Sequence, residues 1–447
     1  MGSQDAISNE KFTSTNGAQV YVSFFSYTFD ILSFISIIFV IPYIHNLIYP
    51  SPNLGVSLLV TWGGVAAGSL TRPLGAAIFG PSGDNRGRKR MLYITITGSA
   101  IFTAALAGLP TYAQVGILSP VIFVALRLIA GFFIGGLIAG GLVFSAENLP
   151  ERFRGLMTGF AESGGSWAHV IGSAWLLMTT IAFTGAAYAA FGWRVMFLVA
   201  LLPLVVVIPV LYKIPESEIF AISKKKGKVK GKALRRLFTT PKVRGVFALS
   251  LISSIGLLGF DNLTENTFPT FLKQVNNLVP SHLAFIVLVG AAFGVIGSVL
   301  GGALSQKIGR KPLAIGGGVV LMIISVLFVY LGNIPGTLVD RIILTLIPFY
   351  FFASISKADL SLYLNEAFPT DLRASGLGLN WNIGYGLAGI WPLIISGFIA
   401  VYGITVFPLA QAVAVGILAA FYTVSSIFMK ETKGNISSER SQLEAEA

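Results

Sequence analysis

Gly83-Asp84-Asn85-Arg86-Gly87-Arg88-Lys89 stands between two long apolar stretches, and Ser305-Gln306-Lys307-Ile308-Gly309-Arg310-Lys311 repeats its frame. Gly87 matches Gly309 at an offset of 222 residues, and the basic pair that follows is the same in both copies. A second motif keeps nearly the same interval. Glu147, Pro150 and Arg154 recur as Glu366, Pro369 and Arg373, each 219 residues later. Two motifs at matching offsets make the chain a duplicated unit.

What is duplicated is a set of membrane helices. Of 447 residues, 54% are hydrophobic and only 11% are charged, against roughly 25% charged in an ordinary soluble domain. A soluble fold of this size cannot hide that much apolar surface, which excludes a cytosolic enzyme and a disordered chain. A spanning helix needs about 20 mainly apolar residues. Such runs lie near 22–47, 54–80, 91–110, 116–145, 155–183 and 191–212, then 245–274, 282–305, 312–332, 340–365, 374–400 and 404–429. The expectation is an all-α membrane protein: twelve transmembrane helices in two six-helix repeats. The first run is longer than a signal-peptide core and is read as a retained span.

Charge sets the orientation. With the N-terminus cytoplasmic, 25 of the 31 Lys and Arg fall on that side, and only Arg194, Lys273 and Arg341 fall near the outer side. Cytoplasmic loops carry the basic excess, so both termini are expected in the cytoplasm of a plasma-membrane protein. The expected organisation is a tail over 1–21, a six-helix bundle over 22–212, a linker over 213–244, a second bundle over 245–429 and a tail over 430–447. The linker holds eleven Lys/Arg and two acids, Glu216 and Glu218, and cannot span. The net charge of +12 is scattered in short runs, which speaks against a nucleic-acid partner.

The chain has no Cys and three scattered His, so no metal site or cofactor is expected. It also lacks a GxxxxGK[ST] phosphate loop. With no nucleophile–base constellation, an enzyme is discounted. The expected partners are a small-molecule substrate, protons and the lipid bilayer, with the protein acting as a monomer.

These motifs resemble the major facilitator superfamily over nearly the whole chain. The Gly-Asp-x-x-Gly-Arg-Lys stretch and its echo are similar to that superfamily's signature. Arg72-Pro73-Leu74-Gly75, Arg127-x-x-x-Gly131 and Ala146-Glu147-Asn148-x-Pro150 look like its metabolite:H+ symporter group. Glu265-Asn266-Thr267-Phe268-Pro269-Thr270 is similar to the Gln-Asp-x-x-Pro-Thr stretch of sialate and lactate symporters. Asn85, Gln306 and Glu265-Asn266 depart from the family patterns. The resemblance implies that spans one, four, seven and ten line a central cavity. It also implies that Asp84 latches the cytoplasmic ends. Gating is therefore expected of Gly83, Asp84, Gly87, Arg88, Lys89, Glu147, Arg154, Gly309, Arg310, Glu366 and Arg373.

A charge at the centre of a span costs at least ~2.5–3.5 kcal/mol on insertion scales, so deep ionisable residues need partners or water. Asp30 in span one and Arg127 in span four come to similar depth by helical rise. They are expected to form a switchable proton-coupling pair, with Arg127 also able to grip a carboxylate. Asp261 and Glu265, four apart, share a face of span seven. Lys357 either pairs with Asp261 or anchors an anion. Asp359, two residues on, points elsewhere. Glu265 is read as nearer the outer mouth. His169, Asn380, Trp381 and Asn382 complete the candidate substrate-binding residues, and Arg72 is read as structural.

The function expected is proton-coupled symport of a small organic anion by alternating access. A sugar or polyol transporter is the alternative, because Asp30 with Arg127 also resembles the pair used by sugar symporters. Span seven lacks the paired glutamines of those proteins.

Overall fold

The computed structural model describes residues 12–146, 149–184, 187–214, 233–327, 338–436 and 438. Among these residues every regular element is a helix, and nine helices are long and apolar enough to cross a membrane. The expected spans at 155–183, 312–332 and 340–365 are helical too over their described residues. They correspond to Glu151–Glu162 (α6) with Gly164–Ala182 (α7), Arg310–Ser325 (α12) and Leu338–Ala367 (α13).

The first segment starts earlier than its apolar run suggests. Ser14–Ile38 (α1) begins inside the expected tail because Thr13 and Asn16 form a capping box. Each side chain satisfies a backbone N–H that the helix end leaves open. Ile41–Ile48 (α2) continues the segment. Leu54–Arg86 (α3) runs 33 residues, about 50 Å of helix, and Arg88–Ala104 (α4) and Leu118–Ala146 (α5) follow. The sixth segment, Ala190–Lys213, is pieced from short helical turns.

The second set opens with a short helix, Ala233–Thr239 (α8), and Pro241–Asp261 (α9). Proline at the start of α9 lacks the N–H that this position would leave unused. Phe268–Gln274 (α10), Pro280–Ile308 (α11), Arg373–Ala388 (α14), Trp391–Tyr402 (α15) and Phe407–Phe428 (α16) complete it.

The duplicated motif proves to be a one-residue hinge and not a loop. Gly83 lies inside α3 and its carbonyl accepts the Gly87 N–H. Gly87 alone (φ 104°) separates α3 from α4, and Gly309 (φ 100°) alone separates α11 from α12. Side chains rarely tolerate such φ values, so the repeat preserves glycine where the chain folds back.

The lipid-facing side is apolar. Leu74, Ile101, Met178, Val205, Ile323 and Val401 are exposed. Inside, the first six segments meet the last six along two seams, α3 against α14 and α15, and α6 and α7 against α11. Both ends of these seams are shut. At the end carrying Lys89, Arg310 and Arg373, called here the basic end, α6 and α11 touch backbone to backbone. A Cβ on Gly302 would sit 2.2 Å from the Gly155 carbonyl oxygen. At the far end, Asn53 Nδ2 donates to Ala400 O (3.2 Å) and Gln274 Nε2 to Pro42 O (3.3 Å).

Gly302→Val is therefore expected to keep the basic end from closing. The chain has no Cys, so single cysteines placed near Gly155 report this directly. Their thiol labelling should rise in the variant, and unchanged labelling would show that α11 can shift to accept the methyls.

Candidate functional site

Midway along the seams the helices line a cavity of about 10 Å3, room for roughly one water molecule. Tyr27 and Phe34 of α1 line it, with His169 of α7 and Tyr385 of α14. Asp261, Glu265 and Lys357 supply its charge.

Of the two readings of Lys357, the pairing with Asp261 is present, at 2.6 Å. Glu265 is not near a solvated mouth. It is buried, 3.5 Å from Lys357 and 3.6 Å from His169 Nε2. The reason is local. Residues Asn262–Asn266 form a π turn between α9 and α10, and the segment continues to Gln274, about 14 Å beyond Glu265 by helical rise. Single π turns often mark functional positions. His169 Nδ1–H donates to the Gly165 carbonyl (3.2 Å), which leaves Nε2 facing Glu265, where a hydrogen bond needs a proton on the imidazole or on the carboxyl. One ammonium thus serves two carboxylates, and the imidazole faces the second. Tyr385 Oη donates to Asp261 Oδ2 (3.2 Å) and closes the group from α14.

Asp30 is fully buried, but its partner is not Arg127. Arg72 Nη2 lies 2.9 Å from Asp30 Oδ2. Matching depth places two residues at one height and says nothing of which way around the helix each side chain points. The Arg127 guanidinium lies 5.6 Å from the Phe34 ring centroid. Its Nε and Nη1 have no hydrogen-bond partner among the described residues. Arg72, read from sequence as structural, is the junction of the two sets of helices. Its Nε donates to Asn382 Oδ1 (3.0 Å), and its guanidinium lies 4.9 Å from the Tyr385 ring centroid. Asn382 Nδ2 in turn donates to Gly135 O on α5 (3.0 Å).

Three further candidates lie off the cavity. Asp359 accepts from Ser305 Oγ of α11 (2.5 Å), because a two-residue step turns it to the opposite side of α13 from Lys357. Asn380 ties α14 to α9, donating to Phe247 O and meeting Ser250 Oγ and Ser254 Oγ. Trp381 packs between Tyr27 and Tyr385, with ring centroids 6.2 and 6.1 Å away.

Of the expected gating residues, Glu147 and the side chains of Asp84 and Arg88 lie outside the described residues. Lys89 donates to the carbonyls of Tyr212 and Ile214, and Arg154 to those of Ala146 and Leu149. Arg373 Nη1 donates to Thr370 Oγ1. Arg310 holds Glu366 with two bonds of 3.0 and 2.9 Å.

Sequence reading missed a strap laid over this last pair. Glu431 accepts from the backbone N–H groups of Arg310 and Lys311 at the start of α12. Thr432 Oγ1 and Asn435 Nδ2 donate to Glu366. A lone acid among Lys430 and Lys433 was the available signal. Burial alone would raise the Glu431 pKa. Four backbone N–H donors, from Arg310, Lys433, Lys311 and Thr432, outweigh it and hold the carboxyl below its usual value. A depressed folded pKa stabilises above the unfolded pKa, and that stability is lost as pH falls through the folded value. Glu431→Gln is thus expected to melt lower than wild type at neutral pH. The two curves should converge in acid. A gap that persists in acid would show that the charge is not what matters.

Comparison with known proteins fits this architecture. A family model described as Major Facilitator Superfamily matches residues 23–392. The ectoine/proline transporter ProP of Corynebacterium glutamicum is 28% identical over 84% of this chain and 76% of its own length. The glycine betaine/proline/ectoine/pipecolic acid transporter OusA of Dickeya dadantii is 26% identical, over 86% of this chain and 77% of its own. A structure of the proton:xylose symporter XylE superposes with a TM-score of 0.76 at 18% identity, covering 97% of this chain and 99% of that one, a likeness of fold. The helical repeat, the central cavity and these matches together make the chain a multi-pass membrane transporter, not an enzyme, and a member of the Major Facilitator Superfamily.

Proposed function

We propose that this transporter is a proton-coupled symporter of a small carboxylate-bearing solute, best a zwitterion. The observation that carries the reading is the mixed charge of the cavity: Lys357 with Asp261 and Glu265, beside two aromatic walls. A carboxylate end is served by Arg127 and Lys357. A cationic end is served by Asp261, Glu265 and the faces of Tyr27 and Phe34, since rings attract cations. The substrates named for ProP and OusA, such as proline and ectoine, carry both charges, which moves the reading from a plain anion to a zwitterion.

Proton coupling is assigned to Asp30. Paired with Arg72 it stays ionised, and released from Arg72 in a dry site it takes a proton. Alternating access comes from rocking of the bundles 22–212 and 245–429 about the cavity. The linker over 213–244 and the tails over 1–21 and 430–447 lie on the cytoplasmic side of the plasma membrane. The transporter works as a monomer.

The test is uptake into proteoliposomes under an inward proton gradient, with zwitterions, monocarboxylates, dicarboxylates and neutral sugars, each with and without a protonophore. Protonophore-sensitive accumulation of a zwitterion is expected. Accumulation of only a neutral sugar would overturn the carboxylate site. Equilibration without accumulation would overturn the coupling.

A further inference from the structure

One buried acid has no place in the scheme so far. Glu162 ends α6, is 1% exposed, and neither carboxyl oxygen has a hydrogen-bond partner among the described residues. Tyr27 of α1 and Ser361 of α13 face it, and their hydroxyls are also unpaired. The charges within reach are Lys357 of α13 and Asp261 of α9.

Its level follows from register. On the facing helices α7 and α13, His169 meets the Tyr350 ring (5.5 Å between centroids) and Ser166 meets Ser354 (3.2 Å). The two segments run antiparallel, so this register sets the Glu162 backbone opposite Lys357 and Ala358, and its side chain faces Ser361. That is one turn, about 6 Å, from Lys357 toward the basic end. The face of α6 bearing Gly155 and Gly159 packs on Gly302 of α11. Parting of that seam is what would wet Glu162.

A bare carboxylate at this place would have no contact cation and only the Tyr27 and Ser361 hydroxyls to offset its burial, an expensive state for a charge. A neutral carboxylic acid has one donor and spare acceptor capacity, which suits two hydroxyl neighbours. We propose that Glu162 is a second proton-binding site, which receives the proton from the central carboxylates and releases it at the basic end. A proton taken up from the far side by Asp261 or Glu265, additional to the one on Asp30, leaves that carboxyl for Glu162, and the carboxylate left behind pairs with Lys357. Glu162 carries it as a neutral acid while the seam is shut. It passes to water when α6 and α11 separate, and Glu162 becomes a hydrated carboxylate.

This rests on the proton-coupled reading above, and the test separates the two. Glu162→Gln keeps the shape of the neutral acid. It is expected to retain solute counterflow while proton-driven accumulation falls to simple equilibration. An infrared difference spectrum of wild type minus Glu162→Gln should show the C=O stretch of a neutral carboxylic acid near neutral pH. Ser361→Ala should shift that band. Full accumulation by Glu162→Gln, or absence of the band, overturns the proposal. If wild type itself exchanges solute but never accumulates it, the coupling falls, and the band alone decides whether Glu162 binds a proton. If Glu162→Gln does not fold, the shift in Ser361→Ala decides it.

Discussion

Lys357→Met is expected to abolish transport and to destabilise the protein by about 3–5 kcal/mol, the usual cost of removing one partner from a buried ion pair. Asp261 lies 2.6 Å from the ammonium and Glu265 3.5 Å. Both are buried, so neither acid can turn to water when the cation is lost. The cost comes mainly from the charges left behind. Adding Asp261→Asn should therefore recover much of the melting temperature while leaving transport dead. That split is the point of the experiment. Recovery of stability without activity identifies the ammonium as part of the working site. A single variant as stable as wild type would mean that the acids are already neutral in the closed state. Failure of the double variant to recover would mean that packing, and not charge, is what Lys357 supplies.

The second large effect is at Arg72. One guanidinium contacts Asp30 on α1, Asn382 on α14 and the Tyr385 ring. Lysine keeps the charge but has no planar fork to reach an acid and an amide at once. Arg72→Lys should lose accumulation while retaining some exchange, because Asp30 then no longer exchanges one partner for a proton. Arg72→Gln should lose both. Uptake and counterflow in the same vesicles distinguish these outcomes. Wild-type accumulation by Arg72→Lys would show that charge alone is enough. It would also return the link between the two sets of helices to a structural role.

The sequence carried the fold almost completely because its signals are long-ranged and redundant. Twenty-residue apolar runs and two motifs repeated at matching offsets point the same way. The site was legible where chemistry alone decides it. A lysine in span ten needs an acid, and Asp261 was the acid at its depth. It was less legible where direction decides. Helical rise gives height, so Arg127 was matched to Asp30 and Arg72 was read as structural, and only packing showed which side chain turns toward the acid. Glu265 was misplaced because a π turn is invisible in composition. Asn380 offered the same amide as Asn382, yet one ties α9 to α14 and the other reaches Arg72. The strap at Glu431 was missed because caps between distant segments leave no local pattern.

The smallness of the central cavity has a thermodynamic corollary. A space for one water holds no solute, so whatever is carried binds only to molecules that have opened. Apparent affinity is then the intrinsic affinity reduced by the fraction of open molecules. The contacts that shut the far end, from Asn53 to Ala400 and from Gln274 to Pro42, therefore govern how tightly a substrate seems to bind without touching it. A weak measured constant for the true substrate would report the stability of the closed form as much as the fit of the site.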